Sequence, residues 1–492
     1  MDREQKLQKR LEENLKVLEG ELGVGVSFDM LARHLRIAGR DAALLGVDGL
    51  INDAVLTNVL RTMLRLKRED LTPDAVQALF QEGIPHVEVN AVTTYGGVVD
   101  QVLSGPAVLL VDGMDTAFAI DVRTYPARTP QEPQLERVLR GSRDGFVETL
   151  VFNTALIRRR IRDPRLRVER FQVGRRSKTD VALVYLQDVA NPKLVAQVRD
   201  QLKEIQVDAI PMAEKSIEEY LQSGPAQWWN PFPLVRYTER PDVAAVHLFE
   251  GHLVILADTS PAAIILPVTF FHHIQHAEEY REDVSVGTYL RLVRFLGIML
   301  AWVGPPLWVA LVLSKEILPP GLQLLGPKKP GSVPLPLQFL IGEIVLDLVR
   351  LALIHTPEPV STALGFIGTV LLGEIASQVG LLASETVLYV ALAALGGFAT
   401  PSMEFAMAVR LMRLLLLGAA SVFRLWGVAV IFFLQLLLLG FTRSFGVPYL
   451  WPLIPPDWGA LKAVTLRLPL PARHVRPSIL KPKEQKTARR IR

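Results

Sequence analysis

Glu343, Asp347 and Arg350 recur at i, i+4 and i+7 within the apolar run Leu335–Ile354, so a helix there carries all three on one stripe. An ionisable group facing lipid costs roughly 2.5–3.5 kcal/mol on insertion scales, so these groups must face protein, one another or water. Two readings stay open. In the first, acidic side chains from several subunits ring an aqueous path and attract cations. In the second, an Asp347–Arg350 or Glu343–Asp347 network within one subunit fixes packing, or the helix lies at the bilayer interface. Glu374 is a further acid, set among Gly365, Gly368, Gly373 and Gly380, which permit close helix approach. Glu343, Asp347, Arg350 and Glu374 are therefore the pore or gating candidates.

Other chemistry is thinner. His272, His276 and Glu279 could share one helical face as metal ligands, but they lack the His-Glu-x-x-His order and no further ligand set accompanies them. No metal is assigned. Arg158, Arg159, Arg160 and Arg162 form a basic cluster that suits a solvated helix C-terminus, or else an anion or interface site. The segment from Gly326 to Ser332 lacks the Gly-Lys-Ser/Thr ending of a phosphate loop, and no Ser/His/Asp set or nucleotide fingerprint is present. No enzyme activity and no cofactor are expected. With no cysteine, disulfides, thiol catalysis and Cys-type zinc sites are excluded. A net charge of +4 on 492 residues makes no case for nucleic acid.

The elements that must position these residues divide the chain in two. Half of the residues are hydrophobic and 21% are charged, and the two kinds are segregated. The first 290 residues read as a soluble sequence. The last 200 are mostly apolar, in runs long enough for the 20 or so residues that cross a bilayer. Expected spans are 293–314, 360–382, 385–403 and 411–441, the last as one long helix, with 335–354 amphipathic and either re-entrant or pore-lining. The tail from Lys462 to Arg492 holds ten Lys/Arg against one Glu, which places it on the cytoplasmic side and requires an even number of crossings. The charged N-terminus shows no signal-peptide pattern, so the preceding domain is expected on that side too.

The soluble part reads as α/β, with strands and helices alternating. The segment 1–27 is a helical preface with Leu7, Leu11, Leu15 and Leu18 on one stripe. Subdomains at 28–150 and 151–270 follow, then an interfacial segment at 271–292, the membrane domain at 293–443 and the basic tail at 444–492. Residues 41–66 read as helical, 83–90 and 207–211 as short strands, and 99–122 as a β-hairpin. At a constant offset, Gly105, Val108, Leu110, Asp112 and Ala117 fall on Gly251, Val254, Leu256, Asp258 and Ala263. Either an internal repeat or the common grammar of hairpins accounts for this; different strand orders would exclude the repeat. The stretch 227–243 is a proline- and aromatic-rich, rigid connector.

Several stretches, taken together and in order, resemble the A subunits of GerA-type spore germination receptors. They are Pro231–Val243, Glu250–Pro261, Arg158–Asp163 with Gly174–Leu186, Pro357–Gly365 and Arg443–Leu450. The family-motif residues are Pro231, Pro233, Arg240, Pro241, Gly251, Asp258, Pro357, Glu358 and Pro359. Phe270–Ile298 looks closer to the stage V sporulation AF branch of that family. The resemblance implies a multi-pass protein of the spore inner membrane, in contact with lipid, with its soluble domain facing the core. It also implies a homo-oligomer, a pentamer, that conducts ions early in germination. The branch implies a link to dipicolinic acid movement. Partners implied are a germination receptor, the dipicolinic acid channel or small accessory membrane proteins; a non-conducting scaffold of such an assembly is the alternative.

Overall fold

The computed structural model describes residues 3–71, 74–124, 138, 140–222, 229–317, 326–354, 378–469 and 475–485. The chain forms two compact units. One comprises 1–223, 237–267 and 471–492; the other comprises 224–236 and 268–470.

The first unit contains two five-stranded antiparallel sheets. In the first subdomain α1 (Leu11–Leu22) precedes β1 (Met30–Ile37) and β2 (Arg40–Val47), then α2 (Asp53–Met63), α3 (Ala75–Ala78), β3 (Val89–Val92), α4 (Tyr95–Ser104), β4 (Ala107–Val111) and β5 (Ala117–Ile120). The strand order is β1-β2-β4-β5-β3. Alternation along the central strands makes three layers. Ala43, Leu45, Val108 and Leu110 pack under α1 and α4, and Ala42, Leu44, Leu109 and Val111 pack under α2. Because both faces are covered, β2 reads as an unbroken apolar run, and this is why residues 41–66 suggested helix throughout. The expected strand at 83–90 sits later, at Val89–Val92, and the first part of the expected hairpin is α4.

The second subdomain repeats this order with α5 (Leu150–Arg160), β6 (Leu166–Val173), β7 (Thr179–Leu186), α6 (Pro192–Glu204), α7 (Ala213–Leu221), β8 (Arg236–Thr238), α8 (Pro241–Glu250), β9 (Leu253–Ala257) and β10 (Ala263–Leu266). Its sheet runs β6-β7-β9-β10-β8, the same order position for position. No strand forms at 207–211. The agreement extends to side chains. Asn14 bonds the backbone of Gln8 in both directions, at 2.6 and 2.9 Å, and Asn153 does the same to Val147 at 2.6 and 2.8 Å. Asp112 accepts from the Leu11 amide at 3.0 Å, and Asp258 accepts from the Leu150 amide at 3.0 Å. Gly105 and Gly251 end α4 and α8 with φ of 111° and 103°, a region that favours glycine. Shared hairpin grammar does not produce matched capping at these distances; the subdomains are repeats. The C-terminal stretch 475–485 returns to the second of them, where Arg476 Nε donates to Phe249 O at 2.8 Å and the Lys483 amide to Val189 O at 3.0 Å.

The second unit is helical. After two 3-10 turns, α9 (Val284–Leu313) is followed by α10 (Leu335–Ile354), α11 (Ser384–Phe398) and α12 (Met403–Phe441). The short hairpin β11 (Arg443–Ser444) and β12 (Val447–Pro448) and then α13 (Trp458–Thr465) close the unit. The expected single long helix at 411–441 is not what forms. At Arg424 the backbone leaves the helical region (φ 54°, ψ −136°), and Gln435 Nε2 donates to Met412 O at 2.9 Å. In one straight helix those residues would be about 35 Å apart at 1.5 Å per residue. α12 is therefore a helical hairpin whose arms, 403–423 and 425–441, lie side by side. The expected span 360–382 lies, up to residue 377, outside the described residues.

α9 and the first arm run in the same direction: Arg294 Nε donates to Ala399 O, Arg413 Nη1 to Ala301 O, and Arg424 approaches Glu316 at 3.9 Å. α10 and α11 run against them, with Phe339 meeting Trp308 edge-on and Tyr389 packing on it at a tilt. α9 and α11 meet backbone to backbone at Gly297 and Gly396, where a Cβ on Gly396 would collide with Gly297 O. We expect Gly396→Ala to force the two helices apart, destabilising the detergent-solubilised protein by about 1–3 kcal/mol, read as a lower unfolding temperature. Gly397→Ala beside it, which meets nothing within 4 Å, is the neutral control.

Candidate functional site: a charged cluster and an aromatic wedge

Glu343 is buried at 1% exposure on α10, facing the first arm of α12. Its Oε2 lies 2.9 Å from Arg410 Nε and 2.8 Å from Arg413 Nη2. Arg410 also reaches Asp347 Oδ1 at 2.5 Å, and Arg413 Nη1 donates to Ala301 O at 2.6 Å. The candidate acids are therefore brought together, but not by pairing with each other or with Arg350. Arg350 instead points Nη1 at the Met407 sulfur, 2.7 Å away. Two carboxylates and two guanidiniums give a formally neutral cluster, so within one chain it makes no acidic ring. Arg410 and Arg413 were missed from the sequence. The signal was present: three residues apart in an apolar run, they share one face, as the acids do on α10. Glu374, Pro357, Glu358 and Pro359 lie outside the described residues.

An aromatic wedge adjoins this cluster. Pro231 and Pro233 hold the connector extended around Phe232, which is buried between Trp302 and Phe405 (both 5.9 Å between ring centroids) and Tyr449 (6.4 Å). Asn230 Nδ2 donates to Thr442 Oγ1 at 2.9 Å, and Ser444 Oγ to Leu234 O at 2.6 Å, so both sides of Phe232 are tied to the end of α12. Trp302 Nε1 in turn donates to Gln435 Oε1 at 2.9 Å. The connector, α9 and both arms of α12 thus meet around Trp302, one residue from the carbonyl that Arg413 holds.

His273 completes the wedge, stacked 5.7 Å from Phe405 with Nδ1 3.2 Å from Ser402 Oγ. Burial, then the nearby Arg236 charge, pushes its pKa down from 6.5 to about 3. A base whose folded pKa lies below its unfolded value is protonated first in the unfolded state as the pH falls. Stability is whole above about pH 6.5 and is lost as the pH falls towards 3. We expect melting at pH 5 to show a loss on the order of 2 kcal/mol relative to pH 7, which His273→Gln removes. An unchanged pH slope in that variant would contradict this assignment.

The three suspected metal ligands do other work. His272 Nδ1 accepts from the Thr269 amide, the His276 side chain caps the next turn by accepting from the Glu278 amide, and Glu279 pairs with Arg291 and Arg294. They do not share a helical face. Among the family-motif residues, Arg240 is buried and bonded to Asp242 and Ser142 O at the head of α8, which Pro241 starts. Gly251 and Asp258 are the cap and turn described above.

Residues 16–479 match the sequence pattern of the Bacillus/Clostridium GerA spore germination protein. The chain belongs to the GerA spore germination family. Within it, the chain is 44% identical to Stage V sporulation protein AF of Bacillus subtilis (strain 168) over 472 residues, 96% of this chain and 95% of that protein. It is 30% identical to Spore germination protein GerLA of Bacillus cereus, over 98% and 99% of the two chains. Among solved structures, the N-terminal domain of the A subunit of the Bacillus megaterium spore germinant receptor GerK3 aligns at 27% identity. That alignment has a TM-score of 0.42 and covers 54% of this chain and 98% of that one. For this GerA member, α9 is long and apolar enough to cross a membrane, and α12 adds a strongly apolar helical hairpin. The outward faces of the bundle carry exposed Leu296, Ile344, Leu348, Leu415 and Phe433. Together with the family, these features mark a membrane protein.

Proposed function

We propose that this GerA-family chain is the A-subunit-like component of a homo-oligomeric ion channel of the spore inner membrane, acting in early ion release and coupled to dipicolinic acid movement. Its helical unit passes the bilayer several times, with the α/β unit and the C-terminal stretch on the core side. One observation carries the reading. The Asp347 side chain is 40% exposed on a face of α10 that also exposes Ile344, Leu348 and Leu351. A carboxylate so placed against lipid is costly, so a second protein surface or water covers that face. The parity of crossings agrees, since α9 begins at the end of the bundle where α12 finishes. α10 and α11 of neighbouring copies would line the path, with Asp347 as its exposed acid.

The test is the native mass of the full-length protein in detergent, followed by conductance of the reconstituted protein and of Asp347→Asn. A closed oligomer whose ion preference shifts in the variant is the expected result. A monomer would overturn the pore. A second reading, a non-conducting scaffold, is favoured by the closed pairing of Glu343 with Arg410 and Arg413. It predicts an oligomer or heteromer whose spores release ions and dipicolinic acid unchanged when Asp347 is neutralised.

A further inference from the structure

The segment after β12 exposes apolar surface that the bundle does not use. No residue of α13 is buried; Trp458 is 79% exposed, and Leu453, Ile454 and Leu466 are exposed beside it. Yet the segment is pinned in place. Arg291 donates to the carbonyls of Ala463 (3.2 Å) and Val464 (2.8 Å), the Arg467 amide to Thr288 Oγ1 (3.1 Å), and Arg467 Nη2 to Tyr280 O (2.9 Å). Thr288 and Arg291 lie on the first two turns of α9, whose outer face already exposes Val284, Val286, Leu292, Val293 and Leu296 directly after the acids Glu282 and Asp283. These anchors thus stand within about 10 Å of the change from charged to apolar surface, the depth of a headgroup layer, where amphipathic aromatic side chains concentrate. Tyr289, also exposed, stands at the same level.

Between these parts lies a groove of about 750 Å³, walled by Val284, Thr288, Tyr289, Leu292, Arg467 and Leu468. Its lining is mostly apolar, with Ser285, Thr288 and Tyr289 adding hydroxyls, and the buried Nε of Arg467 has no hydrogen-bond partner among the described residues. Lys462 is exposed on α13, and Glu282 and Asp283 are the acids at the head of α9. We propose that α13, with Leu453 and Ile454, lies in the headgroup layer, and that this groove seats a phospholipid with an anionic headgroup, its phosphate at Arg467 and one acyl chain along Leu292 and Leu468. The continuity of the groove with the exposed apolar face of α9 selects lipid over a soluble partner. The inference rests on the reading that the helical unit is embedded in a bilayer.

The experiment uses full-length protein reconstituted into phosphatidylglycerol vesicles brominated either near the headgroup or at mid-chain. The fluorescence difference between wild type and Trp458→Phe isolates Trp458, and the remaining tryptophans report whether the bundle is embedded. The expected result is that the Trp458 contribution is quenched most by bromine near the headgroup. In native mass spectra, Tyr289→Ala and Arg467→Gln should each retain about fivefold less phosphatidylglycerol than wild type. Tyr289→Ala guards against a folding defect, because Arg467 also holds Tyr280 O. An unquenched Trp458 beside quenched companions overturns the proposal and leaves the embedded bundle intact. Quenching of no tryptophan overturns both. Unchanged lipid retention in both variants overturns the seat.

Discussion

Arg413→Ala is expected to destabilise the helical unit by about 3–5 kcal/mol, the usual result of leaving one partner of a buried ion pair without the other. Arg413 supplies one of the two guanidiniums on Glu343 and satisfies Ala301 O, so its loss strips a buried carboxylate and a helix carbonyl together. Thermal unfolding of the detergent-solubilised chain measures it, with Arg410 as the remaining partner of Glu343 among the described residues. The informative variant is the double one, Glu343→Gln with Arg413→Met, which removes both charges and keeps the volume. It should recover most of the lost stability. If the cluster only holds α10 against α12, spores carrying the double variant germinate with normal ion release. If the acid takes part in conduction, stability returns and ion release does not. A single variant that melts like wild type would show that this pairing does not hold the bundle.

Asp29→Ala should cost the α/β unit a similar amount, about 3–5 kcal/mol. Asp29 and Arg158 are 0% and 1% exposed and joined by two hydrogen bonds of 2.7 and 3.1 Å, with the remaining nitrogen of Arg158 on Leu166 O at 3.0 Å. The pair stands where the two repeats join, beside the Phe28 amide bonded to Val168 O and the Val168 amide bonded to Ser27 Oγ. Truncating Asp29 leaves a guanidinium with no water and one acceptor. We expect a lower melting temperature in the full chain and earlier proteolytic cleavage between the repeats. Arg36→Ala, which breaks the exposed pair with Asp41, should change neither, since solvent screens such surface pairs almost completely.

Local pattern carried much of the fold. The hairpins, the stripe on α1, the helices at 192–204 and 335–354 and the apolar runs all announced themselves through period and turn residues. What escaped were features decided by a distant segment. Residues 41–47 read as helix because a strand covered on both faces loses its alternation. Arg158 read as one of four solvated arginines; it is the one that meets Asp29, 129 residues away, and no local window contains both. The hairpin in α12 was hidden because the block holds no proline and its polar breaks at Arg413, Arg424 and Gln435 fit one long helix as well; the backbone at Arg424 and the Gln435–Met412 bond reveal the turn. At the candidate site the acids were legible and their partners were not, since α10 and α12 are separated by a long stretch of chain.

The chain passes between its two units at residues 223–224, 236–237, 267–268 and 470–471. All four junctions follow the first repeat, so that repeat owns no strand of polypeptide that leads directly into the helices. The second repeat is threaded to them four times, and one of those threads ends in the lodged ring of Phe232. In mechanical terms the repeats are in series. A torque arising on the first reaches the helices along the covalent chain only after passing through the second, and the join at Asp29 and Arg158 is the clutch between them. A substitution there that leaves both repeats folded would uncouple the first repeat from that series path to the helices.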